Sequence, residues 1–224
     1  MSAPPVDRHF ALRKLHSLLG VVPIGAFLAF HLFENSLAHA WHGLSAAEWT
    51  EEVVHKIDGM PYIELAEILL IALPILFHGI YGLIIWFEGR ANPLRYGYFR
   101  NWMYVVQRVA GAIALVFVVT HVWQTRVQVL LGHVTKDELY ARMANVFSSP
   151  AQQAWYALGI LAAVVHLANG LWLVGITWGL TTAPRSQRIA TGLWAAVGVA
   201  LLALGALALT GFQAPLNLAH LALR

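Results

Sequence analysis

Long apolar runs alternate with short polar ones along the whole chain. Five runs reach the length of about 20 mostly apolar residues that a helix needs to cross a membrane: approximately Leu15–Ala38, Tyr62–Phe87, Met103–Leu130, Gln153–Leu180 and Ile189–Phe212. The pattern predicts an all-α membrane protein, residues 1–224 forming one domain with five transmembrane helices, spans I to V. The polar connections are "HAWHGLSAAEWTEEVVHKIDGMP", "EGRANPLRYGYFRN", "GHVTKDELYARMANVFSSP" and "TTAPRSQR". Within the first and third, "SAAEWTEEVV" and "TKDELYARMANVF" each open on a Ser or Thr suited to cap a short amphipathic helix.

Composition sharpens this reading. The chain is 59% hydrophobic and 11% charged, against about 25% charged in an ordinary soluble domain. Ala38-His39-Ala40 resembles a signal-peptidase site, but the apolar run before it is too long for a signal peptide, so span I is expected to stay in the membrane. Lys and Arg collect in cytoplasmic loops. With the N-terminus inside, the inner side holds Arg8, Arg13, Lys14, Arg90, Arg95, Arg100, Arg108, Arg185 and Arg188, and the outer side Lys56, Arg126, Lys136, Arg142 and Arg224. Nine against five predicts an N-terminus inside and a C-terminus outside, and no nucleic-acid partner is expected. The chain has no cysteine, which excludes disulfides, thiolate haem ligation, cysteine-ligated iron–sulfur clusters and c-type haem attachment. Metal chemistry here must rest on histidine.

Four of the spans carry a histidine within the apolar run, and the four fall in a repeat. "GAFLAFHLFE" in I echoes "LVFVVTHVWQ" in III, and "LFHGIYGLIIW" in II echoes "VVHLANGLWLV" in IV. The spacing is 47 residues from His31 to His78 and 45 from His121 to His166. Spans I–II and III–IV thus read as two copies of one hairpin, whereas V, without a charged residue or histidine from Ile189 to Phe212, reads as a peripheral packing helix.

At 1.5 Å of rise per residue, His31 and His121 lie roughly 24 and 26 Å from the inner ends of their spans, and His78 and His166 roughly 15 and 20 Å. This gives an outer pair and an inner pair, each joining equivalent positions of the two repeats. A b-type haem between hairpins fits such a pair, with one neutral imidazole on each face of the iron. His78-Gly-Ile-Tyr-Gly82 and His166-Leu-Ala-Asn-Gly170 each put a glycine one turn past the histidine, where a macrocycle or a close-packed helix would need the space. Two such groups form an electron path with no open coordination site for oxygen chemistry. An intramembrane histidine can also serve as an interhelical hydrogen-bond donor.

Two other readings compete. A bc-type quinol-oxidising cytochrome b places two ligands on one helix, whereas each helix here supplies one. A histidine-dependent transporter or proton channel would want carboxylates facing the histidines; the core offers only Glu34, Glu64 and Glu67 near the outer ends and Glu88 near the inner.

The strings "RKLHSLLGVVPIGAFLAFHL", "LPILFHGIYG", "YGYFRNWMYVVQRVAG", "HVWQTR", "ANVFSSPA", "HLANGLW" and "TWGLTTAPRSQRI" span about residues 8 to 190. They resemble the single-chain, five-helix, di-haem cytochrome b558 membrane anchors of succinate dehydrogenase and menaquinol:fumarate reductase. The resemblance implies a subunit of the bacterial cytoplasmic membrane that holds a flavoprotein and an iron–sulfur protein on the cytoplasmic face and passes electrons between them and menaquinone. FAD, iron–sulfur clusters and the dicarboxylate site would lie on those partners and not on this chain. Spans I–IV would form the haem-binding four-helix bundle, with His78 and His166 ligating the haem b nearer the partners and His31 and His121 the farther one. Some fumarate-reducing members carry a membrane glutamate two residues before the span IV histidine; that position is Val164 here, so a proton path of that kind is not implied.

Buried propionates need cationic or hydrogen-bonding partners. The candidates near the span ends are Arg13 and Arg108 inside and Arg126 outside, with His16 and Ser17 as polar neighbours of the inner haem. Arg90, Arg95, Arg100, Arg185 and Arg188, interleaved with Tyr96, Tyr98, Phe99 and Trp102, are expected to seat the partner subunits or meet lipid phosphates. A second haem serves electrons only if their source or destination lies toward the far side, which argues for a menaquinone site near the outer leaflet. Quinone chemistry exchanges protons, and Glu67, Glu64 and then Glu34 are the candidate carboxylates.

Overall fold

Why the helices start and stop where they do follows from a few residues. In the computed structural model, which describes residues 8–39 and 44–213, five helices are long and apolar enough to cross a membrane: α1 (Arg8–Ser36), α2 (Ile63–Glu88), α3 (Phe99–Leu130), α4 (Pro150–Thr177) and α5 (Pro184–Gly211). They correspond in order to spans I to V, and no strand occurs among the described residues. Ala40 of the signal-peptidase-like triplet and Arg224 of the charge count lie outside them.

Three helices outrun their apolar cores. α1 extends back through Lys14 and Arg13 to Arg8, α3 back to Phe99, and α5 back to Pro184. Backbone hydrogen bonding does not stop where hydrocarbon stops, and proline is at home in a first turn, where its missing N–H would have no partner.

Three interruptions fall inside the long helices. Pro23 has no N–H for the ladder, and α1 loosens to a turn at Val22 before resuming at Pro23. In α2 a wide π-type stretch, Glu67–Ala72, precedes Pro74, whose ring would otherwise press on the carbonyl four residues back. α3 breaks at Thr125 (φ −117°, ψ −87°) and restarts as Arg126–Leu130. The C-terminal end of α4 closes with Gly179 at φ +74°, which lets the N–H groups of Leu180 and Thr181 reach Gly175 O at 2.8 Å.

The chain forms two compact units. The first draws on Met1–Leu28, Glu64–Ala112 and Ala163–Gly198, the second on Ala29–Ile63, Ile113–Ala162 and Val199–Arg224. In the first unit, cations cap helix ends. Lys14 donates to Thr177 O at the end of α4, and Arg108 donates to Ile85 O and to Trp86 O at the end of α2; both satisfy last-turn carbonyls and favour the negative end of the helix dipole. Arg13 pairs with Glu88 at 2.8 Å, alongside His9, 3.0 Å from the same carboxylate.

The second unit has an aromatic core. Trp49, Phe117, Phe147, Tyr156 and Phe212 are buried with Ala38, Val53 and Met143, and Trp49 meets Phe212 edge-on at 5.1 Å, a favoured geometry for ring quadrupoles. The short helix Ala46–Trp49 opens on a capping box: Ser45 Oγ accepts from Glu48 N at 3.3 Å and Ser45 N donates to Glu48 Oε2 at 2.7 Å. The bond from Ser45 holds the Glu48 carboxyl below its ordinary pKa. Thr135 does not cap the helix after it, which runs Leu139–Val146 with Glu138 at its N-cap. Instead Thr135 N and Oγ1 donate to Glu138 Oε2 at 2.8 and 3.0 Å, closing the turn before the helix begins.

Candidate functional site

The four intramembrane histidines meet in two pairs, one in each unit. In the first, the rings of His78 (α2) and His166 (α4) have centroids 6.0 Å apart with planes at 88°. In the second, His31 (α1) and His121 (α3) lie 5.8 Å apart at 72°. Two imidazoles on opposite faces of one metal ion, each with a metal–nitrogen bond of about 2 Å, have ring centres about 6 Å apart. Among the described residues no cluster of three or more His, Asp or Glu side chains forms a site for a bare metal ion. The donor set is thus two-coordinate per pair, which suits a macrocycle that brings its own equatorial nitrogens.

Hydrogen bonding sets which nitrogen of each first-unit histidine is left for a ligand. His78 Nδ1 lies 2.9 Å from His16 O in α1, and His166 Nδ1 lies 2.9 Å from Gln107 O in α3. A carbonyl only accepts, so both histidines carry their proton on Nδ1 and keep the Nε2 lone pair for a ligand. Glycine makes this approach possible in both cases. A Cβ added to Gly20, four residues after His16, would lie 2.8 Å from His78 Nδ1, and one added to Gly111, four residues after Gln107, would lie 2.9 Å from His166 Nδ1. The same notch occurs in both repeats.

Gly82 and Gly170 serve differently. A Cβ at Gly82 would meet His16 Nε2 at 3.2 Å and one at Gly170 would meet Gln107 Nε2 at 3.5 Å, so these glycines admit a polar side chain of the neighbouring helix. His16 lies flat on His78, centroids 3.9 Å apart and planes at 14°. Gln107 Nε2 donates to His166 O at 3.1 Å, and its Oε1 accepts from the buried Asn169 at 2.8 Å.

In the second unit the support comes from side chains. Tyr156, 4% exposed, donates from its hydroxyl to Gln124 Oε1 at 2.8 Å, which leaves the phenol oxygen to accept from His121 Nδ1 at 3.3 Å. Gln124 continues to Gln152 Oε1 at 3.3 Å. Phe117 stacks on His121 at 5.7 Å. Asn35 Nδ2 lies 3.3 Å from His31 Nδ1 and donates to His31 O at 2.7 Å.

The remaining candidate residues are spread over both units. Ser17 donates to Lys14 O and accepts from the Trp178 indole at 3.1 Å. Arg13 is engaged by Glu88 and Arg108 by the end of α2. Arg126 opens the turn after Thr125 and is partly buried, in the unit that holds His31 and His121. Glu34, half-buried, falls in that unit too, and its carbonyl accepts from Trp49 Nε1 at 3.2 Å. Glu64 and Glu67 belong to the other unit, where Glu64 is exposed and Glu67 half-buried. Val164, where a proton-carrying glutamate would sit, is 1% exposed.

Five apolar helices long enough to cross a membrane define a multi-pass membrane protein, and two of its histidine pairs lie within 6.0 Å, centroid to centroid. The chain belongs to the succinate dehydrogenase/fumarate reductase transmembrane subunit family, whose profile matches residues 90–207. Over 206 residues it is 42% identical to the succinate dehydrogenase cytochrome b558 subunit of Bacillus subtilis (strain 168), a match covering 92% of this chain and 98% of that protein. No solved structure matches the chain. It is accordingly the membrane-embedded subunit of an enzyme complex.

Proposed function

We propose that this chain is the di-haem cytochrome b anchor of a succinate:menaquinone oxidoreductase or fumarate reductase. It holds a flavoprotein and an iron–sulfur subunit at its arginine-rich end, on the cytoplasmic side, and exchanges electrons with menaquinone; the dicarboxylate chemistry belongs to the partners. The observation that carries this reading is the pair of histidine pairs, with ring centroids 5.8 and 6.0 Å apart, each of which would hold one iron. His78 with His166, and His31 with His121, would hold haem b, which supplies reversible one-electron storage when bound.

The residues around each pair do separate work. The carbonyls of His16 and Gln107 fix the tautomer and the ring direction of His78 and His166. Tyr156 and Gln124 do the same for His121. Phe117 and the surrounding aromatic core keep water from the second pair. His16, Ser17, Arg13, Arg108 and Arg126 are the polar groups proposed for the propionates, and Arg90, Arg95, Arg100, Arg185 and Arg188 those for partner subunits or lipid phosphates. Glu67, Glu64 or Glu34 would exchange protons with the quinone.

A Soret and α-band spectrum of the purified complex tests the reading. Two low-spin components are expected, and His78→Ala should remove one while leaving the other. Absence of haem bands would return the histidines to a packing or transport role.

A further inference from the structure

Between the end of α2 and the facing parts of α3 and α4, within the first unit, lies a cleft of about 390 Å³. Arg90, Asn92, Arg100, Asn101, Trp172 and Leu173 contribute to its walls. Its lining carries two guanidinium groups and no carboxylate. It therefore presents an uncompensated positive charge to whatever enters.

Arg100 is held for such a task. Its guanidinium lies 3.4 Å above the centre of the Trp172 ring and 5.4 Å from that of Phe99, and one terminal nitrogen donates to Thr191 Oγ1 at 2.6 Å. Thr191 and Trp172 are themselves tied to the same carbonyl, Gln187 O, at 2.9 and 3.2 Å. A guanidinium has five N–H donors in a rigid fork, and among the described residues Thr191 is the one hydrogen-bond acceptor Arg100 meets. Cation–π stacking fixes the plane while the rest of the fork stays available, a geometry that suits bidentate recognition of a phosphate.

Depth selects the source of that phosphate. Trp172 sits five residues before the last residue of α4, roughly 7.5 Å below the helix end, so Arg100 is held among rings below that end and does not project above it. Next to the lining residues Arg100 and Asn101 in sequence stand exposed Tyr98, Phe99 and Trp102, the residue types that settle at a membrane interface. Leu173, 37% exposed, offers an apolar wall for the start of an acyl chain. Basic pockets between membrane helices bind anionic headgroups on this physical basis.

We propose that the Arg90–Arg100–Trp172 cleft binds the phosphate of an anionic phospholipid, with Arg100 stacked on Trp172 as its fixed clamp and Arg90 as its mobile second cation. The site rests on the partner-or-lipid role proposed above for Arg90 and Arg100, of which it selects the lipid, and is independent of the haem and quinone assignments.

The test uses the intact complex, purified in detergent and titrated separately with phosphatidylglycerol, phosphatidylcholine and inorganic phosphate, with bound lipid read by native mass spectrometry. Phosphatidylglycerol should be retained about tenfold better than phosphatidylcholine, and Arg100→Gln or Arg90→Gln should each remove most of that preference, since a charge-assisted contact is worth at least a factor of ten. Haem absorbance checks that each variant is folded, and Arg90→Gln, at an exposed position, keeps the test alive if Arg100→Gln does not assemble. Equal retention of the two lipids overturns the proposal. Displacement of phosphatidylglycerol by inorganic phosphate at matching concentration would mean a free-anion site, and loss of the partner subunits with lipid retention intact would mean a protein-docking surface; either also overturns it.

Discussion

His166 Nδ1 lies 2.9 Å from the main-chain oxygen of Gln107, and Gly111 is what lets it come so close. The His166 ring on α4 is thereby registered against the backbone of α3, with the Gln107 side-chain amide nitrogen 3.1 Å from the same ring nitrogen. Gly111→Ala would push a methyl group into that ring and should destabilise the fold by about 1–3 kcal/mol, as overpacking does. The expected readout is loss or broadening of one haem component with the other unchanged, together with a lower thermal midpoint. Two unaltered components would show that the notch is not needed for ligation.

Tyr156→Phe removes a buried hydroxyl that joins His121 to Gln124. Leaving Gln124 without its donor should cost about 1–3 kcal/mol. With the His121 ring less firmly oriented, the component assigned to the His31–His121 pair should shift in potential or line shape. A redox titration in which the other component moves instead would contradict the assignment of Tyr156 to this pair.

His55 gives a pH dependence outside the membrane. Its Nε2 lies 2.5 Å from Asp137 and its Nδ1 2.8 Å from Glu51, and these carboxylates, Asp137 foremost, raise its pKa above the usual value of about 6.5. Because the folded form holds the proton more tightly, the stabilisation is complete below the unfolded pKa and fades as pH rises through the raised folded one. The pair is exposed, so the effect should be small and shrink with salt. Thermal midpoints measured from pH 6 upward should lose this component in His55→Gln; an identical profile in the variant would remove His55 from the account.

For the quinone, Glu34→Gln, Glu64→Gln and Glu67→Gln are to be assayed for quinone-coupled turnover alongside succinate oxidation by an artificial dye. The reacting carboxylate should lose the first activity and keep the second. If all three variants keep quinone turnover with normal haem content, the proton-exchanging group lies elsewhere.

Much of this fold can be read from hydropathy alone, because lipid demands uninterrupted apolar helices. The internal ends are harder. Nothing in the apolar count marks Thr125 as a break in α3, since a lone Thr is tolerated in a membrane helix, and the extension of α5 back to Pro184 runs through Arg185 and Arg188, which hydropathy assigns to a loop. The histidines were visible by type and spacing, and the structure pairs them across the two repeats. Gly20 and Gly111 were not singled out, because what presses on a glycine is a tertiary fact. The signal existed all the same: His16 and Gln107 each precede a glycine by four residues in corresponding helices. Gly82 and Gly170, conspicuous beside the histidines, turned out to receive His16 and Gln107 side chains.

The notch also bears on how the two hairpins can differ in sequence. The acceptor for His78 and for His166 is a main-chain oxygen, which any amino acid provides, so this bond does not itself require histidine at 16 or glutamine at 107. The glycine four residues on has no such liberty, since every other residue brings a Cβ. The bond thus asks nothing of the side chain at the position that makes it and everything of the one that merely leaves room for it, so what the two hairpins share here is an empty position.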